Sequence, residues 1–125
     1  MMSWFSGSPT VMTGPQVAAR WKVSRSFPRF AIDVALSISG TRRTTPLGGR
    51  AADIGLGGIC GMLPEPLSVG ERLNLEFTLP RERSAIRVLA KVRYSLGERH
   101  GFQFLNLDPA QRERIRRACE KLTIV

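Results

Sequence analysis

The chain has 125 residues, of which 42% are hydrophobic, so it can form one domain around one core, and wholesale disorder is excluded. Its formal charge is +9, and because only Lys22, Lys91 and Lys121 are lysines, the basic residues are almost all arginines. Arginine matches phosphate groups and the guanine edge, which favours a nucleotide, a nucleic acid or an anionic membrane surface as partner. A charge that serves only solubility is the alternative.

The sequence lacks the signatures of disulfide-rich proteins, zinc sites and the common enzyme classes. Two isolated cysteines, Cys60 and Cys119, indicate neither a disulfide scaffold nor a zinc site, so we expect both to be reduced and partly buried. The single histidine, His100, has no companion ligands, and we expect it at the surface or at the end of a strand. No catalytic triad, paired catalytic carboxylates, metal cluster or phosphate loop is found. The chain is therefore predicted to be non-enzymatic, with no cofactor.

The N-terminal region has the composition of a loose arm. Glycine, proline and serine interrupt any periodicity over residues 1–23, which predicts a flexible arm before a domain over residues 24–122. The arm lacks the basic and apolar regions of a secretory signal. No apolar run approaches the ~20 residues needed to cross a bilayer. We therefore expect a cytoplasmic protein without a membrane span.

From Phe30 onward, apolar and polar residues alternate, which is typical of half-buried strands. Six strands are predicted, at residues 30–38, 49–54, 59–63, 73–79, 86–94 and 100–105, and the alternation is clear in the first, fourth and fifth. In the fifth segment Tyr94 continues the apolar series that begins at Ile86, opposite the basic positions.

A helix is predicted after the last strand. Asp108 is its N-cap, Pro109 its first residue, and Gln111 completes a capping box. The following residues form an apolar stripe at helical spacing: Ile115, Ala118, Cys119 and Leu122. The fold class is therefore mainly β, a six-stranded antiparallel barrel, closed or nearly so, with a C-terminal α-helix over its open end or side.

Two basic residues precede the first strand. Arg25 and Arg29 are four residues apart, and Pro28 favours an extended or turned path at Phe27. A turn could bring both guanidinium groups to one anion. A basic linker held by surface carboxylates is the alternative.

A glycine-rich bend follows the second strand. Asp53 would supply a hydrogen-bond acceptor at the strand end, and Gly55, Gly57 and Gly58 would let a ligand approach the backbone closely. A bulged barrel corner with a turn-forming aspartate is the alternative.

Together, these two segments resemble the PilZ domain family. Its Arg-x-x-x-Arg segment is complete at Arg25 and Arg29. Its Asp-x-Ser-x-x-Gly segment matches at Asp53 and Gly58, with Gly55 in place of the serine. Two later strands and Gly-Phe-Gln-Phe before a helix also match, so the resemblance covers about residues 24–122.

The resemblance implies a PilZ-type barrel that acts as a receptor for cyclic di-GMP. The ligand-binding residues would be Arg25, Arg29, Asp53, Gly55 and Gly58. The arginines would bind phosphate or guanine, Asp53 would accept from a guanine, and Gly58 would leave room for the base. Gly55 would lose the bond of the serine hydroxyl and weaken binding from a few-fold to about tenfold.

The expected function is a cyclic di-GMP receptor or adaptor that signals to an unidentified effector protein. The segment through Arg29 would be mobile until the ligand orders it. Two alternatives stay open: a PilZ adaptor that binds proteins and no nucleotide, and a basic nucleic-acid-binding barrel.

Overall fold

The computed structural model describes residues 28–40 and 45–125. Over these residues it contains the six predicted strands and the predicted helix. They are β1 (Phe30–Ser39), β2 (Leu47–Ile54), β3 (Gly58–Met62), β4 (Arg72–Phe77), β5 (Ile86–Leu96), β6 (Arg99–Leu105) and α1 (Pro109–Cys119). Strand ends differ from the sequence-based prediction by one or two residues, as expected where the alternation fades.

The six strands form one closed antiparallel barrel in the order β1-β2-β3-β6-β5-β4. The barrel closes where β1 pairs with β4, with Leu36 opposite Phe77 and Ile38 opposite Leu75. Closure gives every strand two neighbours, so the backbone groups of the strands pair within the sheet. The outer surface of this sheet carries the candidate site.

The core lies inside the barrel and consists of alternate residues from every strand. Phe77 and Phe104 stack there with ring centroids 6.3 Å apart. The fully enclosed side chains include Leu36, Ile38, Ile54, Ile59, Leu73, Leu75 and Ile86. Burying alternate positions fixes which residues of each strand face outward.

The helix begins with the predicted capping box. The Gln111 N–H donates to the Asp108 carboxylate (2.7 Å), and the Asp108 N–H donates to the Gln111 side-chain oxygen (3.2 Å). Ile115 and Cys119 belong to the buried core cluster, so α1 packs its apolar stripe on the core of the barrel. Among the described residues, no helix has the length and apolar character that crossing a bilayer requires.

The prediction for Tyr94 was wrong. The pairing of β5 with β6 shifts register between Val92 and Tyr94, which is the signature of a β-bulge. One extra residue turns the following side chain to the other face of a strand. Tyr94 therefore leaves the inward series that ends at Val92 and lies on the outer surface.

For His100 the prediction named the surface or a strand end, and the structure places it near the start of β6 and not at the surface. Its side chain is fully buried and stacks on Phe102 with ring centroids 6.2 Å apart. Nδ1 lies 2.8 Å from the Glu98 carbonyl oxygen, and Nε2 lies 2.9 Å from Ser95 Oγ. Both ring nitrogens are thus satisfied inside the protein, so His100 has a structural role.

Candidate functional site

The candidate site is the outer corner where β2 turns into β3. The Gly55 N–H donates to the Gly58 carbonyl (2.9 Å), and the Phe104 N–H donates to the Gly57 carbonyl (2.9 Å). These bonds hold the turn against β6. Asp53 precedes the core residue Ile54, so its carboxylate points outward at this corner.

Arg29 binds Asp53 directly. Arg29 Nε donates to Asp53 Oδ1 (2.8 Å), and Nη2 lies 2.6 Å from the same oxygen. Nη2 also donates to Cys60 Sγ (3.1 Å). The two charged side chains are only 14% and 17% exposed, so water screens the pair less than it screens a surface ion pair. Within the part of the chain that the structure describes, Asp53 Oδ2 and Arg29 Nη1 make no hydrogen bond.

A row of outward residues continues from Asp53 across four strands. Asp53 lies opposite Cys60, Cys60 opposite Gly101, and Gly101 opposite Tyr94. The Tyr94 hydroxyl donates to Cys60 Sγ (3.3 Å). A Cβ on Gly101 would overlap the Tyr94 ring, so this glycine allows the ring to lie flat on the strand. The site thus has a guanidinium group at one end and a phenol ring at the other.

The two motif glycines are explained by close packing. A Cβ on Gly58 would overlap the carbonyl oxygen of Phe102 on β6. A Cβ on Gly55 would lie 2.5 Å from the Pro28 carbonyl oxygen and 3.3 Å from Arg29 Cδ. Gly55 therefore leaves the space in which the segment before β1 lies on the corner. Any role of either glycine towards a ligand stays a prediction.

The structure brings four of the five sequence-predicted site residues together at this corner: Arg29, Asp53, Gly55 and Gly58. Arg25 lies outside the described residues. The structure shows Arg29 bonded to Asp53 and Cys60, and the expected mobility of the segment through Arg29 before ligand binding stays a prediction.

Sequence reasoning missed Cys60, Gly101 and Tyr94 as parts of the site. Cys60 follows the inward Ile59 in β3, so the alternation of faces along a strand could have predicted that its thiol points outward. Both cysteines are free and buried, as predicted. Burial raises the pKa of the Cys119 thiol, and the nearby positive charge of Arg29 acts in the opposite direction.

Tyr94 offers a direct test of this packing because it is the only tyrosine in the chain. Burial raises the pKa of the Tyr94 phenol above its ordinary value of 10.0, and the hydrogen bond to Cys60 adds to this effect. In a spectrophotometric titration, the folded protein should therefore form phenolate at higher pH than the protein in denaturant.

The raised pKa of Tyr94 also determines how the free energy of unfolding changes with pH, because proton binding is linked to folding. Above pH 10 the unfolded chain loses the tyrosine proton before the folded chain does, so this group should lower the free energy of unfolding as pH rises. A phenol that titrates at or below its value in denaturant would contradict the packing of Tyr94 against Cys60.

Comparison with known proteins agrees with this geometry. The PilZ domain family model matches residues 24–121. The PilZ domain of YcgR from Escherichia coli, solved with c-di-GMP, superposes with a TM-score of 0.68 at 18% identity, covering 80% of this chain and 92% of that one. The inhibitor of motility MotI/DgrA of Bacillus subtilis gives 0.67 at 20% identity, over 79% of this chain and 50% of that one.

A third solved structure has the same fold. The PilZ domain of CeSA, from a cellulose-synthesizing bacterium, gives a TM-score of 0.59 at 15% identity and covers 74% of this chain and 94% of that one. No curated protein matches the sequence. These superpositions show a shared barrel, and the family model covers most of the chain, including both motif segments. The chain therefore belongs to the PilZ domain family.

Proposed function

We propose that this chain is a receptor for cyclic di-GMP, which binds at the corner of Arg29 and Asp53, and that the bound form signals to a partner protein. Arg25, four residues before Arg29, is proposed as the second arginine of the site. Gly55 and Gly58 are proposed to shape the corner.

The observation that supports this most is the one-sided Arg29–Asp53 pair. Arg29 uses only Oδ1 of the carboxylate, so Oδ2 can accept from the N1–H and exocyclic amine of a guanine. Arg29 Nη1 can donate to a phosphate oxygen or to guanine O6 or N7. Charge-assisted bonds of this kind contribute ~1.5–3 kcal/mol each. The pair therefore offers a donor and an acceptor side by side, as a guanine nucleotide requires.

The surroundings of the corner favour an anionic ligand. The next outward row on the sheet contains Arg72, Lys91 and Gln103, and it ends at Gly58. Neither Arg72 nor Lys91 forms an ion pair with any other described residue. Unpaired positive charge beside a binding site raises the local concentration of a doubly charged ligand.

Membership of the family agrees with the proposal. The PilZ domain of YcgR was solved with c-di-GMP, and MotI/DgrA is an inhibitor of motility in Bacillus subtilis. The PilZ domain is a ligand-binding receptor or adaptor domain rather than an enzyme fold. The proposal for this chain depends on the residues that it shares with the motifs.

Isothermal titration with cyclic di-GMP and with cyclic di-AMP tests the proposal. Both ligands have two phosphates, but adenine presents an acceptor at N1 and cannot donate to Asp53 there. We expect heat with cyclic di-GMP and at least about tenfold weaker binding of cyclic di-AMP, because an unpaired buried acceptor costs ~1–3 kcal/mol.

A matched pair of variants locates the site. Asp53→Asn should weaken cyclic di-GMP binding by about tenfold or more. Glu82→Gln, which changes the ion pair between Glu82 on the β4–β5 connection and Arg114 on α1, should leave binding unchanged. Absence of heat with wild-type protein would favour the adaptor that binds no nucleotide, and equal binding of both dinucleotides would show that phosphate alone is recognised.

A further inference from the structure

The last three residues lie along the segment that carries Arg29. The Val125 N–H donates to the Arg29 carbonyl (2.9 Å), and the Ala31 N–H donates to the Thr123 carbonyl (2.8 Å). Between these bonds, Phe30 lies opposite Ile124 in an antiparallel bridge. Residues 123–125 thus add a short extended segment beside the start of β1.

These residues contribute backbone bonds more than buried side chains. The side chains of Ile124 and Val125 are 62% and 69% exposed. Their burial therefore contributes little to the core, while the backbone groups of Val125 and Thr123 bind the Arg29 carbonyl and the Ala31 amide. Residues 123–125 therefore stabilise the backbone conformation at Arg29.

A second set of contacts, separate from those of residues 123–125, fixes the side chain of Arg29. Its guanidinium group is bound by Asp53 and Cys60, and the adjoining Pro28 carbonyl lies against Gly55. A long arginine side chain has many rotamers, and a fixed backbone reduces the conformational entropy that is lost when this side chain binds. The backbone bond from Val125 therefore supports the side-chain bond to Asp53.

We infer that residues 123–125 are a positioning element for Arg29, and that they set the affinity of the corner for its ligand. This inference rests on the proposed function and adds a specific contributor to it. Val125 acts through its main-chain N–H on Arg29 and does not itself contact the ligand.

The same contacts connect the ligand corner to the end of α1. The N–H groups of Lys121 and Leu122 donate to the carbonyls of Ala118 and Cys119 (both 3.1 Å), which joins residues 123–125 to the last turn of the helix. A ligand that holds Arg29 more firmly should then also hold Val125. By linkage, the factor by which the ligand strengthens the Val125–Arg29 hydrogen bond equals the factor by which that bond strengthens ligand binding.

Val125→Pro tests the inference because proline has no N–H to donate. Val125→Ala is the matched control, since it shortens the side chain and keeps the donor. By isothermal titration, we expect Val125→Pro to bind cyclic di-GMP about three- to tenfold more weakly, as for the loss of one hydrogen bond, and Val125→Ala to bind like wild type. Equal affinity of the two variants would overturn the inference.

A double-mutant cycle separates positioning from a general structural effect. In an Arg29→Ala background, Val125→Pro should cause no further loss of affinity, because its effect acts through the arginine. Full additivity of the two losses would contradict a positioning role.

A readout without ligand keeps this inference distinct from the proposed function. In NMR spectra of the protein alone, the Arg29 Nε–H signal should be slow to exchange, since it is bonded to Asp53. Val125→Pro should speed this exchange and Val125→Ala should not. If wild-type protein binds no cyclic di-GMP, the proposed function fails, while the Arg29 signal still decides whether Val125 positions the arginine.

Discussion

Replacing Gly58 by alanine is expected to lower the free energy of unfolding by about 2–3 kcal/mol, which is near the upper end for overpacking. The added Cβ would overlap the carbonyl oxygen of Phe102, and that carbonyl belongs to the backbone of β6, which cannot turn away as a side chain would. Gly58 pairs with Gln103 where β3 meets β6, so relief of the overlap requires the two strands to separate. Urea denaturation followed by circular dichroism measures the change.

Gly48→Ala is the matched control for this prediction. Gly48 is an exposed residue of β2, and a Cβ there meets no atom within 4 Å. Alanine is favoured over glycine in a strand, so this variant should gain roughly 0.5 kcal/mol. Similar unfolding midpoints for the two variants would show that β3 and β6 accommodate the added methyl group, contrary to the packing described above.

The second large effect is expected for Gly55→Ser, which restores the residue type of the family motif. From the motif alone, the serine should add a hydrogen bond and tighten binding. The structure indicates the reverse, because the serine Cβ would lie 2.5 Å from the Pro28 carbonyl and would displace the segment that carries Arg29. We expect cyclic di-GMP to bind about 5- to 100-fold more weakly, the equivalent of ~1–3 kcal/mol of overpacking.

Gly48→Ser is the control, because it adds the same side chain to the neighbouring strand β2 in open space. Its affinity for cyclic di-GMP should equal that of wild type. Tighter binding by Gly55→Ser would mean that Pro28 and Arg29 shift at little cost and that the hydroxyl makes the bond that the family motif implies.

Much of the fold could be predicted because its determinants are local. Alternation from Arg72 to Phe77 identifies β4 without knowledge of its partners, and the capping box of Asp108 and Gln111 marks the start of the helix. The two motifs predict that Arg29 and Asp53 belong to one site once the family resemblance is recognised, whereas the direct ion pair between them was not predicted. Each of these features is determined by residues that lie close together in the sequence or in a recognisable motif.

The remaining features depend on contacts between distant segments. The bulge that turns Tyr94 outward arises from pairing with β6, and the residues around it show an unbroken apolar alternation. Residues 123–125 have no motif, so their pairing with the Arg29 segment could not be inferred. The space that Gly55 provides for Pro28 likewise exists only after the chain has closed on itself.

Closure of the barrel also has a consequence for how the protein folds. The strands that complete it, β1 with β4 and β3 with β6, are joined by long stretches of chain, so these two pairings are non-local. The entropy of bringing such distant segments together must be lost before their pairing stabilises the chain. Barrels that depend on such non-local strand pairing typically reach the native state in milliseconds to seconds, slower than helical bundles of the same length.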